Sequence, residues 1–298
     1  MSLDGSDLPP EAAGRLERSA FSSGLTVPDF AACLHMGLYP VGLVQGFCVM
    51  KWSWYGMNVA AGYGGFGMRP SGTSIQTYNC PHRYMATTQE HRRWGYNYEQ
   101  PWVTKAWAEG FNSAYKRMIE EAADAGAHGV VDIHDSNTHL IDSDIREFHL
   151  LGTAVVVEGA PKPKRIWTTY LAGQRLAKLI EAGFMPVTIL ASMTSVRVQA
   201  ICSVETLMHG RYDTWGAVHP GDEITQLADA HMAARLRARD HLKGAIGKDA
   251  LHGASIEVSE QELSEGDMDI SCTLRGTRVH RVADTPALAP PLPTVRLS

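Results

Sequence analysis

The sequence predicts an α+β chain of two tandem two-layer domains, each a long helix packed on a small antiparallel sheet. Three observations carry that expectation. The chain repeats itself, each copy holds one long helix with a single apolar face, and short alternating strands flank that helix.

The first repeated strip runs from Phe30 to Phe47 (FAACLHMGLYPVGLVQGF) and matches Leu176 to Met193 (LAKLIEAGFMPVTILASM) without a gap. In both, a short amphipathic helix stops at a glycine, Gly37 or Gly183, and a proline follows three residues later, Pro40 or Pro186. Glycine suits the left-handed turn that closes a helix, and proline cannot continue one. A strand begins there, with Val41 matching Val187, Leu43 matching Ile189 and Phe47 matching Met193.

The second strip pairs Ala127-His128-Gly129 with Leu251-His252-Gly253, and Leu151-Gly152-Thr153 with Arg275-Gly276-Thr277. In each copy 24 residues separate the histidine from the second glycine. Upstream lies a long helix. Val103, Trp107, Phe111, Ala114, Met118 and Ala122 fall on one face in the first copy, and Leu227, His231, Ala234, Ala238, Leu242 and Ala245 do so in the second. Strands at Gly129 to Ile133 and Phe148 to Glu158 complete the first copy. The expected organisation is a first domain over 22–159, a stiff polar linker over 160–170, a more divergent second domain over 171–282 and a disordered proline-rich tail over 283–298.

The copies differ in the excursion that follows the first strand, where the first carries 22 extra residues within 51–100. That stretch is rich in glycine and aromatics, among them Trp52, Trp54, Tyr55, Tyr63 and Phe66. Aromatics that a loop cannot bury locally suit either an interface or a lid over the chain's own domain.

Composition narrows the function. The 298 residues are 44% hydrophobic and 20% charged, which excludes disorder for the body of the chain. A net charge of −5 argues against a general nucleic-acid surface. Five cysteines with no Cys-x-x-Cys pair exclude a disulfide framework and the common thiolate zinc site, so the thiols are expected reduced and the protein cytoplasmic. The acidic N-terminus is no signal peptide. Phe30 to Met50 is long enough to span a bilayer, but its glycines, Pro40 and the charged Lys178 and Glu181 of the matching strip argue against a span.

The run Ala122-Ala123-Asp124-Ala125-Gly126-Ala127-His128-Gly129-Val130-Val131, with Gly152-Thr153-Ala154-Val155 further on, resembles the YbjQ-like family, whose label is a heavy-metal-binding domain. His128 and His252 stand where that family has Asn or Asp. The resemblance covers 22–159 and 171–282 apart from the aromatic insertion. It implies a dodecin-subunit-like two-layer unit that assembles into rings, typically pentamers. It defines no ligand set, so no metal residue is carried over from it.

Candidate chemistry is sparse. His128, His134, His139 and His149 surround the first strand pair, with Asp132 two residues from His134 on one strand face. Imidazole with carboxylate suits a divalent transition metal. Only the His128/His252 pair recurs between copies, so these two either ligate a metal or make hydrogen bonds near the helix end. Gly62-Tyr63-Gly64-Gly65-Phe66-Gly67 satisfies the dinucleotide pattern, but Arg69-Pro70-Ser71-Gly72 follows in place of a helix start, which rejects it. No nucleophile signature is present, and the chain is expected not to be an enzyme. The expected function is a non-enzymatic homo-oligomeric ring that binds a metal or small ligand. The alternative is a structural component whose aromatic loop docks a partner protein or a membrane surface.

Overall fold

The computed structural model describes residues 22–51, 97–140, 145–198, 225–262 and 268–283. The aromatic cluster Trp52, Trp54, Tyr55, Tyr63 and Phe66 and nearly all of the tail lie outside the described residues.

Each half opens with a short helix, α1 (Val27–His35) and later α3 (Gly173–Glu181). The Thr26 hydroxyl caps α1 by accepting from the Asp29 amide, and Asp29 adds an acidic group to the positive first turn. Gly37 (φ 70°) and Gly183 (φ 84°) close the two helices in the left-handed conformation the spacing predicts. The chain then enters β1 (Leu38–Lys51) in the first half and β6 (Phe184–Val198) in the second. Both strands carry a bulge just past the proline, between Pro40 and Gly42 and between Pro186 and Thr188, where a missing amide is tolerated.

Between β1 and the long helix α2 (Pro101–Asp124) lies the short β2 (Asn97–Glu99). After α2 come β3 (Gly129–Leu140) and β4 (Ile145–Val157). The second half supplies β5 (Trp167–Thr168), α3, β6, α4 (Thr225–Ile246), β7 (Ala250–Glu262) and β8 (Met268–Arg281). The result is α+β: four helices and two mostly antiparallel sheets among the described residues.

The sheets are ordered β1-β4-β3-β5 and β2-β6-β8-β7. Each half lends its short strand to the other's sheet. β5 runs parallel to β3, and β2 pairs with β6. The segment expected as a linker therefore ends in a strand, with Thr168, Thr169 and Leu171 buried. The halves share one body.

The layers alternate. One face of β1 (Val44, Cys48) packs on the buried face of α2, with Trp107, Phe111, Ala114 and Met118. The same cluster includes Ile189 and Met193 of β6, so α2 is sandwiched between the two sheets. The opposite face of β6 (Val196, Val198) meets Ala230, Ala234, Ala238 and Leu242 of α4. The order is sheet, helix, sheet, helix. Ala245, expected on the buried face of α4, is exposed, and Ala230 occupies the core instead.

Strand register confirms one repeat correspondence and corrects the other. Leu43 faces Thr153 in the first sheet as Ile189 faces Thr277 in the second, matching the sequence alignment. The histidine match fails. Val131 faces Thr153, and it is His252 that faces Thr277, so His252 stands in the place of Val131. The counterpart of His128 is Asp249, that of Asp132 is Gly253 and that of His134 is Ser255. Backbone conformation agrees, since Asp132 (φ 53°) and Gly253 (φ 62°) share a left-handed bulge, as Gly126 (φ 70°) and Gly247 (φ 60°) share a turn. The second copy is three residues shorter after its long helix and three longer in its hairpin, which leaves the spacing of 24 unchanged by coincidence.

Burial also fixes thiol chemistry. Cys33, Cys48 and Cys272 are free and buried. Burial, reinforced by the charges of Asp29 and Asp132, pushes the Cys33 thiol up to about 11, far from the reactive thiolate range. Alkylation of native protein, mapped by peptide mass spectrometry, is expected to leave these three unmodified until denaturant is added. Rapid native labelling of Cys33 would contradict the packing of α1 on its neighbours.

Candidate functional site

The predicted metal residues do not converge. His128 is 7% exposed, and its Nδ1 accepts the Val157 amide at 3.1 Å while its own amide donates to the Val155 carbonyl at 2.8 Å. An Nδ1 that accepts leaves the ring proton on Nε2. The side chain thus ties the end of β4 to the turn after α2, which is the hydrogen-bonding alternative of the two foreseen. His252 lies exposed on β7, in the other sheet. Asp132 and His134 do meet, at 3.4 Å, on a bulge where His134 is 75% exposed. Two donors do not fill a metal's coordination sphere, and among the described residues no three His, Cys, Asp or Glu side chains gather. His149 sits edge-on to Phe47 and bonds Gln45 at 3.3 Å.

Buried polar groups instead join the two halves. Tyr115 of α2 bonds the hydroxyls of Thr168 and Thr188 at 3.2 and 3.0 Å, and Thr169 bonds Thr277 at 3.0 Å. Arg275 of β8 donates from Nε to Asp135 of β3 at 2.7 Å and from Nη1 to Glu257 at 2.7 Å. Within the second half, Arg197 of β6, 5% exposed, makes a bidentate pair with Asp269 of β8, 2.7 Å on each arm. These contacts were not foreseen from sequence, because each joins residues that no spacing rule relates.

The unsatisfied surface is apolar, and the repeat makes it visible. On the face of β1 turned away from α2, Phe47 is 44% and Val49 48% exposed. Their counterparts on β6, Met193 and Ser195, are 3% and 2% exposed, because α2 lies over that face. At the opposite end of the layer stack, α4 presents Met232 (56% exposed) and Leu236 (45%) to solvent. Among the described residues, one end is a sheet face with no helix over it, and the other is a helix with no second sheet. The sequence signal is the match of Phe47 with Met193, an apolar position present in both copies.

No helix among the described residues is long and apolar enough to cross a membrane. No family model matches the chain, and neither a curated protein nor a solved structure does.

Proposed function

We propose that the protein is a non-enzymatic subunit that assembles with copies of itself head to tail into a closed homo-oligomer, its function residing in that assembly. The observation that carries this reading is the contrast between Phe47 and Val49, exposed on the first sheet, and Met193 and Ser195, buried at the same places on the second. A neighbouring copy whose Met232 and Leu236 lie against Phe47 and Val49 removes both apolar ends at once. Two different surfaces meeting in this way form a heterologous contact, which closes into a ring when the rotation allows.

Glutamates at Phe47 and Val49 test the reading, since both side chains lie outside the α2-centred core. Burying each apolar side chain is worth about 1.5–3 kcal/mol, so the double variant Phe47→Glu/Val49→Glu should associate at least tenfold more weakly. Native mass spectrometry should show a multiple of the 32.6 kDa chain for the parent and the single chain for the variant, with circular dichroism unchanged. A parent that is monomeric at high concentration, or a folded variant of undiminished mass, would sink the proposal.

A further inference from the structure

We infer that the segment Ser22–Leu25 of one copy adds as a parallel strand to the open edge of β7 in the next; the inference rests on the head-to-tail reading and names its backbone contact.

The precedent is inside the chain. Residues 167–171, just before α3, lie against β3 through four backbone hydrogen bonds. Trp167 donates to the His128 carbonyl (3.2 Å), Thr169 donates to that of Val130 (3.0 Å), Ile133 donates to that of Thr169 (3.2 Å) and Asp132 donates to that of Leu171 (3.1 Å). The result is complete cover, with Val130 and Val131 fully buried and Ile133 2% exposed.

The donor exists twice. Before α1, Gly24 donates to the Thr153 hydroxyl at 3.2 Å and Leu25 donates to the Ser23 hydroxyl at 3.1 Å. Before α3, Tyr170 donates to the Thr277 hydroxyl at 3.1 Å and Leu171 donates to the Thr169 hydroxyl at 3.0 Å. By the alignment of the two strips and by register, Gly24 is the counterpart of Tyr170 and Thr153 that of Thr277. The segment is therefore already held in the conformation of the paired strand, with Ser23 and Leu25 in the places of Thr169 and Leu171, whose backbones bond β3.

The acceptor exists twice as well. β7 repeats the bulge of β3, with Gly253 in the left-handed place of Asp132, and among the described residues it is the outermost strand of its sheet. Yet Ala250, His252, Gly253, Ala254 and Ser255 are all exposed. An uncovered strand edge is a template for another chain. The chain's own Ser22–Leu25 cannot reach it, because Thr153 anchors that segment beside the first sheet. The occupant is a second copy. The pairs are then Ser23 amide to Leu251 carbonyl, Ala254 amide to Ser23 carbonyl and Gly253 amide to Leu25 carbonyl.

The adjoining contacts are not copied. Gly129 lies flat against the Trp167 ring, and Ala250 replaces it; Gly173 lies against the Asp29 carbonyl, and Val27 replaces it. The helix after the added strand must stand further off, so the inference is confined to Ser22–Leu25.

Cysteines at Ser22 and Leu251 provide the test, because their counterparts Thr168 and Val130 are register partners and a disulfide needs Cα atoms about 4.4–6.8 Å apart. Mild oxidation of Ser22→Cys/Leu251→Cys should yield covalent multimers on a denaturing gel, and neither single variant should. In the unmodified oligomer, the Gly253 and Ala254 amides should exchange with deuterium at least tenfold more slowly than in Phe47→Glu/Val49→Glu. An oligomer with no cross-link and fast exchange at these amides overturns the strand addition and leaves the assembly standing. A monomeric parent overturns both.

Discussion

Gly46→Ala is expected to destabilise the protein severely, by about 3 kcal/mol or more, at or above the top of the usual range for overpacked cores. At Gly46 the backbone of β1 crosses directly over α2. A methyl built there overlaps the Ala114 carbonyl oxygen and stands 2.7 Å from the Met118 amide nitrogen. Both obstacles are backbone atoms of α2, four residues apart along its own hydrogen-bond ladder, so neither can step aside as a side-chain tip would. The second half offers a control in the same molecule. The place of Gly46 is taken by Ser192, whose Oγ donates to the Ala238 carbonyl at 2.7 Å, so that crossing has room for a side chain. Ser192→Ala loses one buried hydrogen bond and should cost only about 1 kcal/mol. Thermal melts followed by circular dichroism separate the two, with a fall in Tm of roughly 10 °C for Gly46→Ala and a few degrees for Ser192→Ala. A Gly46→Ala protein as stable as its parent would mean that the helix does not cross where the structure puts it.

That pair of crossings shows what the sequence could and could not reveal. Local signals were legible because they act over a few residues. Gly37 and Pro40, or Gly183 and Pro186, stop a helix and start a strand wherever they occur; three- and four-residue spacing gives the buried face of the first long helix and, of the second, Ala234, Ala238 and Leu242 but not Ala245. The histidine equivalence misled because it counted residues across a loop. A three-residue deletion after α4 and a three-residue insertion in the β7–β8 turn cancel, and only hydrogen-bond register exposes them. The exchange of β2 and β5 between halves was also hidden, since strands of three and two residues carry almost no periodicity. Of the candidate site, the residue types were visible and their exposure was not. Phe47 and Met193 read alike along the chain, and only the layer order shows that one is covered.

Arg275→Met is expected to cost about 3 kcal/mol at neutral pH, near the low end for breaking a buried ion pair. Arg275 reaches from β8 to Asp135 on β3, and Asp135 is 8% exposed. Removing the guanidinium strands a carboxylate away from water, which costs more than the pair contributes. The second arm, to the 62% exposed Glu257, contributes little because solvent screens it. Burial already pushes the Asp135 carboxyl above the ordinary carboxylate range, against the pull of Arg275. In the variant that pull is gone, so the folded-state value rises further while the unfolded value stays near 3.9. A carboxyl raised on folding favours the protonated native state, so the variant's stability is fullest below the unfolded value and drains away as pH rises through the folded one. Urea midpoints should therefore show a smaller gap between Arg275→Met and parent at pH 4.5 than at pH 7.5. The double variant Asp135→Leu/Arg275→Met leaves no unpaired buried charge at this site and should recover most of the loss at both pH values. A deficit that ignores pH, or a double variant no better than the single, would assign Arg275 to packing through its aliphatic stem rather than to neutralising the carboxylate that joins the two halves.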